Sequence, residues 1–160
     1  MKTYEIKCPV TVCGWDELSD EQRALVTKAK EQTDRSYCPY SGFHVGAAAE
    51  LQNGTVVLGC NQENAAYPSG LCAERTALFA AGAQFPEQPV VRLAIACFTG
   101  GHFTAEPGSP CGGCRQVMIE TEDRYKQPME VILYGEKESY VFRSATDLMP
   151  LYFVGDNLKG

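Results

Sequence analysis

Leu18, Leu25, Val26 and Ala29 recur at helical spacing through LSDEQRALVTKAKEQTDRS, with polar residues filling the positions between them. Ser19 and Gln22 stand three apart at the start of this stripe in the pattern of a capping box, so a first helix is predicted over residues 18–36. The period then changes. In CPYSGFHVGAAAELQNGTVVLGCNQEN two apolar runs flank Asn53-Gly54, the dipeptide that most favours a tight hairpin because both positions tolerate positive φ. SGLCAERTALFAAGA, rich in Ala and Leu and closed by Gly82, predicts a second helix with Cys72 near its N-terminus. After QFPEQP, the continuous run VVRLAIACF predicts a strand buried on both faces, followed by the loop TGGHFTAEPGSP. CGGCRQVMIETEDRY predicts a third helix with Val117, Met118 and Ile119 toward the core. MEVILYG and SYVFRSA supply two further strands, and a helical turn around residues 145–148 leads into the tail.

The predicted order α, β, β, α, β, α, β, β describes an α/β chain, a mixed five-stranded sheet with helices packed across it in layers. No internal repeat, low-complexity tract or linker interrupts it, and 160 residues suit one well-buried core. Residues 1–160 are therefore expected to form a single domain. Apolar residues make up 44% and charged residues 21%, far from a disordered composition. The net charge of −6 has no Lys/Arg cluster set against it, so small substrates suit the chain better than a polynucleotide. The N-terminus lacks the apolar run of a secretory signal, and no stretch approaches the roughly 18 apolar residues of a spanning helix, so a cytoplasmic location is expected.

Eight cysteines in a reducing compartment point to metal or thiol chemistry rather than disulfides. Cys111 and Cys114 form a C-x2-C knuckle, which alone is equally a redox pair or half of a structural zinc site. Cys72 alters that balance: it too sits at a predicted helix start, where the positive dipole end favours thiolate, and three thiolates can meet on one zinc. Structural zinc sites close with a fourth protein ligand, whereas catalytic ones leave that position to water. Cys8, Cys13, Cys38, Cys60 and Cys97 form no second knuckle and read as buried or half-exposed thiols. His44 reads as a surface or half-buried strand residue, and His102, in a Gly-rich loop, is the remaining imidazole that could approach the site. Glu74, two residues beyond Cys72, is placed to act as general acid and base on water held by the metal; taken alone it would be read as compensating the helix dipole. Arg75 can offset the negative charge of three thiolates by hydrogen-bonding one of them, and Arg115 can do the same; the competing reading for both is a surface ion pair.

Cys72-Ala73-Glu74 followed by Pro110-Cys111-Gly112-Gly113-Cys114 resembles the C-x-E…P-C-x-x-C signature of zinc-dependent nucleoside and base deaminases. YCPYSGFHVGAA, NQENAAYPSGLCAERTA and SPCGGCRQVM narrow the resemblance to cytidine deaminases of the small, homotetrameric type and frame most of residues 37–118. The resemblance implies a three-layer sandwich with helices on both faces of the sheet, and one Zn²⁺ per chain on Cys72, Cys111 and Cys114. It implies that Glu74 relays protons to the ring nitrogen and the leaving amine, that Asn61 and Glu63 hold the ribose 3′-hydroxyl, and that Phe43 packs on the pyrimidine. The backbone of Ala73 would help read the exocyclic amine, while Tyr67 and Phe153 would project toward sites of neighbouring subunits. The implied activity is hydrolytic deamination of cytidine and 2′-deoxycytidine in pyrimidine salvage; the alternatives are a deaminase of a cytosine-containing nucleoside antibiotic and a structural zinc module closed by Glu74 or His102. Two departures from the family pattern stand out: residues 99–109 form a longer loop, and Val154 separates Phe153 from Gly155.

Overall fold

A computed structural model describes residues 1–159. In chain order the elements are β1 (Thr11–Cys13), α1 (Asp20–Gln32), β2 (His44–Leu51), β3 (Val56–Cys60), α2 (Ala73–Gln84), β4 (Val90–Thr99), β5 (His102–Phe103), α3 (Gly112–Tyr125), β6 (Glu130–Tyr134) and β7 (Ser139–Phe142), with short 3-10 turns between them. The sheet runs β1-β7-β6-β4-β2-β3, with β5 paired to the end of β4. Only β4 and β6 are parallel, so the sheet is mixed as expected. It has seven strands rather than five. The two additions, β1 and β5, are three and two residues long, too short for an apolar alternation to register.

The capping box forms: Ser19 Oγ accepts from the Gln22 N–H at 3.2 Å, and Gln22 Oε1 from the Ser19 N–H at 2.9 Å. The β2–β3 hairpin departs from the two-residue turn expected at Asn53-Gly54. Gly54 alone takes a positive φ, of 83°, while Asn53 Oδ1 accepts from the Thr55 N–H at 3.0 Å. The loop is therefore one residue longer, with glycine at its single left-handed position. Helix α2 starts later than its sequence pattern, because Tyr67–Ser69 form a separate 3-10 turn and Leu71 pairs back with Gln62. Gly82 does not end it. The Phe85 N–H still reaches the Ala81 carbonyl at 2.9 Å, and the stop comes at Phe85, the residue before Pro86, where helical backbone is disfavoured.

Side chains on the two faces of the sheet sort into two cores. Ala48, Ala94, Ala96 and Ile132 meet Leu25, Val26 and Ala29 of α1. Ala47, Leu93, Ile95, Val131 and Leu133 meet Ala73, Ala77 and Ala81 of α2 and Met118 and Ile119 of α3. This is the three-layer sandwich. On the α1 side, Lys30 Nζ lies 4.5 Å from the ring centroids of both Phe103 and Tyr134 and 5.6 Å from that of Trp15. On the other side, the buried Glu122 carboxylate fastens α3 to the following chain by accepting from the Met129 N–H at 2.7 Å and the Ala145 N–H at 2.8 Å. No helix among the described residues is long and apolar enough to cross a membrane.

Two glycines set how closely helices approach the sheet. A Cβ on Gly46 would fall 2.0 Å from the Ala29 carbonyl oxygen of α1, and one on Gly59 would fall 2.5 Å from the Ala77 nitrogen of α2. Because the obstructing atoms are backbone, neither helix can yield without moving as a body. Gly59→Ala is expected to destabilise the protein by at least the roughly 1–3 kcal/mol typical of overpacking, seen as a lower urea midpoint at constant slope.

Candidate active site

Cys72 is the residue before the first turn of α2, Cys111 occupies the same place on α3, and Cys114 lies in the first turn of α3. Two helix starts, each with unpaired N–H groups and a positive dipole end, therefore bring three sulfurs together. The Sγ atoms all lie within 4.8 Å of one another, Cys72–Cys111 at 3.9 Å and Cys111–Cys114 at 3.5 Å. Three convergent soft donors at this spacing fit a zinc-like cation. Among the described residues no imidazole or carboxylate joins the group. A structural site closed by Glu74 or His102 thus finds no fourth ligand. His102 is exposed on β5, its Nδ1 2.8 Å from the Phe103 carbonyl oxygen.

Negative charge is favoured on Cys72. Its pKa is pulled down to about 5, first by a hydrogen bond from the Cys114 thiol and then by Arg75 and Cys111, which together outweigh burial. Cys114 is pushed upward by the same contact and by burial. Arg75 Nη2 lies 3.7 Å from Cys72 Sγ, as expected of a group that offsets thiolate charge. Arg115 does not share that task. Its guanidinium donates to the carbonyls of Pro110, at 2.9 Å, and Leu148, bracing the turn after β7.

Cys72 and Cys111 open onto a cavity of about 850 Å³. Phe43, Asn61, Glu63, Tyr67, Cys72, Glu74, Arg75 and Cys111 line it, so eight sequence-predicted positions meet in one space. Cys114 and Ala73 are wholly buried behind the wall. Tyr67, expected to serve a neighbouring site, stands at the mouth of its own chain's cavity, edge-on to Tyr40 with ring centroids 6.4 Å apart. Phe153 does not line the cavity; it is 54% exposed, and its carbonyl accepts from Gln116 Nε2 at 2.8 Å.

The two carboxylates in the cavity have opposite surroundings. Glu74, only 4% exposed in the first turn of α2, has its pKa raised chiefly by burial, with Cys72 adding to the shift. Glu63 is held below the usual carboxylate range by hydrogen bonds from the Ser41 side chain and from backbone. Its Oε2 accepts from the Tyr40 N–H at 2.9 Å and the Ser41 N–H at 3.3 Å. Asn61 is largely engaged: Oδ1 accepts from the Val45 N–H at 2.8 Å and Nδ2 donates to the Phe43 carbonyl at 2.9 Å, which leaves one amide hydrogen for a ligand. The sequence carried no signal for the Tyr40 and Ser41 amides, because a backbone donor leaves no mark in side-chain identity. Cys97, read as an inert thiol, also faces the cavity, its pKa pushed up to about 12 by burial.

Residues 19–127 match the model of the cytidine and deoxycytidylate deaminase zinc-binding region. The chain is 42% identical over 100 residues to a cytidine deaminase of Halalkalibacterium halodurans, a span covering 62% of this chain and 71% of that one. It is 30% identical over 139 residues to a probable cytidine deaminase of Dictyostelium discoideum, covering 87% and 88% of the two chains. Among solved structures, the cytidine deaminase from Burkholderia pseudomallei is similar at a TM-score of 0.71 and 42% identity, covering 85% of this chain and 100% of that chain. The cytidine deaminase from Mycobacterium tuberculosis is similar at a TM-score of 0.65 and 30% identity, covering 84% and 98%. With its three-sulfur site inside the matched span, this chain belongs to the cytidine and deoxycytidylate deaminase family.

Proposed function

We propose that the protein hydrolyses cytidine and 2′-deoxycytidine to uridine and 2′-deoxyuridine with release of ammonia. The observation that carries this reading is the convergence of the Cys72, Cys111 and Cys114 sulfurs beside the cavity that Cys72, Cys111 and the buried Glu74 line. When bound by these three thiolates, zinc supplies a Lewis acid that activates water for attack on the amine-bearing ring carbon. Glu74 takes a proton from the attacking water and gives it to the ring nitrogen beside that carbon; it then takes the remaining proton of the added hydroxyl and gives it to the amino group, so that the carbon–nitrogen bond breaks, ammonia leaves and the ring carbonyl forms. Burial suits it to this exchange, because it raises the carboxyl's pKa above the usual range and so strengthens its hold on the proton it takes from water. Arg75 holds the Cys72 thiolate in place.

Phe43 offers an apolar face to the pyrimidine and the backbone at Ala73 flanks its exocyclic group. Glu63, kept charged by the Ser41 hydroxyl and by the Tyr40 and Ser41 amides, and the free hydrogen of Asn61 form an acceptor and a donor for the ribose 3′-hydroxyl. The family description spans nucleosides and nucleotides, and the cavity wall favours the former. Arg75 is the one basic side chain on it and turns its Nη2 to Cys72, whereas Glu63 would repel a 5′-phosphate. Nothing on the wall favours a nucleoside antibiotic. The net charge of −6 disfavours a polynucleotide.

A place in cytoplasmic pyrimidine salvage accords with eight free cysteines. A homotetramer with active sites completed across subunits accords with the exposure of Phe79, Leu151 and Phe153.

Metal-loaded protein is expected to lower the ultraviolet absorbance of a cytidine solution, and prior treatment with a strong chelator to prevent it. In the same assay Glu74→Gln should keep its zinc while turnover falls by roughly 10²–10⁴-fold or more; near-normal turnover would remove Glu74 from the chemistry. Elemental analysis should find about one zinc per wild-type chain, with Cys111→Ala losing metal and activity together. Light scattering under assay conditions should give four chains per particle, and a fully active monomer would end the shared-site reading.

A further inference from the structure

The segment joining α1 to β2 contains a hydrogen-bonded knot that the deamination chemistry leaves unused. Ser36 Oγ lies 2.7 Å from the Thr33 carbonyl oxygen and 2.7 Å from His44 Nδ1, and Cys38 Sγ lies 3.2 Å from the same ring nitrogen. A carbonyl can only accept, so the one hydroxyl hydrogen of Ser36 belongs to Thr33. The Ser36 oxygen must then accept from the ring, which assigns a hydrogen to His44 Nδ1 whether the imidazole is neutral or charged.

His44 itself does not line the cavity, but both of its chain neighbours, Phe43 and Val45, do. Side chains alternate along a strand, and the His44 ring lies against Phe98, edge-on with centroids 6.2 Å apart. Between Ser36 and His44 runs the loop that supplies Phe43 and the two amides on Glu63. Tyr40, Ser41 and Phe43 are exposed in this loop and only Cys38 is buried; backbone bonds tie Tyr37 to Asn61 and Glu63, which leaves the stretch from Pro39 to Phe43 with little apolar burial to fix it. The Ser36–His44 bond closes its two ends, one following α1 and the other opening β2.

We propose that His44 is a positioning residue for nucleoside binding: its Nδ1–H, bonded to Ser36 Oγ, holds the 36–44 loop so that Phe43 and Glu63 meet the nucleoside together. The proposal rests on the nucleoside reading above. Zinc affinity and the proton relay of Glu74 lie outside the loop, so losing the bond should weaken binding and leave the chemical step intact.

The test compares Ser36→Ala, His44→Leu, the double variant and His44→Asn, whose amide nitrogen takes the place of Nδ1. Steady-state rates on cytidine are read beside the dissociation constant of uridine by calorimetry, zinc content and urea midpoint. Each of the first two variants should raise KM by about two- to tenfold, the factor of one intramolecular hydrogen bond, with kcat and zinc content unchanged. The uridine dissociation constant should rise by the same factor. The double variant should be no worse than the more impaired single one, since the Ser36–His44 bond is already lost in each, and His44→Asn should return most of the loss. Multiplying effects in the double variant, a fall in kcat at constant KM, or no recovery in His44→Asn would overturn the proposal. If His44→Leu fails to fold, Ser36→Ala and His44→Asn still decide the matter. Wild-type protein that leaves cytidine unchanged would sink the deaminase reading instead, whereas turnover with a KM indifferent to Ser36→Ala removes only the positioning role.

Discussion

The contact between the backbone of α2 and β3 at Gly59 fixes where the reactive groups can be. With no Cβ between them, the helix lies close enough to the sheet for Ala73 and Ala77 to be wholly buried. Cys72 is thereby held at the edge of the packed layer rather than within it. Helix α3, fastened at its far end by Glu122, presents Cys111 and Cys114 from the adjacent start. The two helix dipoles, which would repel each other end to end, both gain from thiolate charge placed between them. Each helix would find this arrangement less favourable without the sulfurs, and the sulfurs would be less acidic without the helices.

The cavity sets two glutamates to different work by environment alone. Glu74 is packed into the helix–sheet layer, where loss of solvent raises its proton affinity; Glu63 sits on an exposed loop among hydrogen-bond donors that lower it. One is suited to exchange protons and the other to remain an anion that orients a hydroxyl. Separating the pKa values of like groups in this way assigns acid–base and binding roles without changing residue type. Because the Glu63 donors are the Ser41 hydroxyl and two main-chain amides of one loop, the role depends on the course of that loop as much as on the side chain in it.

Much of this was legible before any fold was in view, and for a physical reason: α1 is announced by its own caps, and the C-x-E and C-x2-C spacings encode chemistry that depends on neighbours close in sequence. What escaped depends on distant contacts. The strands β1 and β5 exist through pairing with β7 and β4, not through their own periodicity. Gly82 looked like a stop, yet Pro86 ended the helix. Arg115 looked like a thiolate partner because it adjoins Cys114 in sequence, whereas its side chain leads away to Pro110 and Leu148. Tyr67 lines the cavity of its own chain because of the 3-10 turn at Tyr67–Ser69, a turn that the helical pattern running on from residue 69 does not announce.

The lysine enclosed by Trp15, Phe103 and Tyr134 has a spectroscopic consequence. Trp15 is the sole tryptophan of the chain, and it packs edge-on to Tyr134 on the α1 side of the sheet, with the cavity on the other. Its fluorescence therefore reports how α1 and β5 are seated rather than whether the cavity is filled. A change in that emission when a nucleoside is added would have to be transmitted through the sheet, and its absence would say nothing against binding.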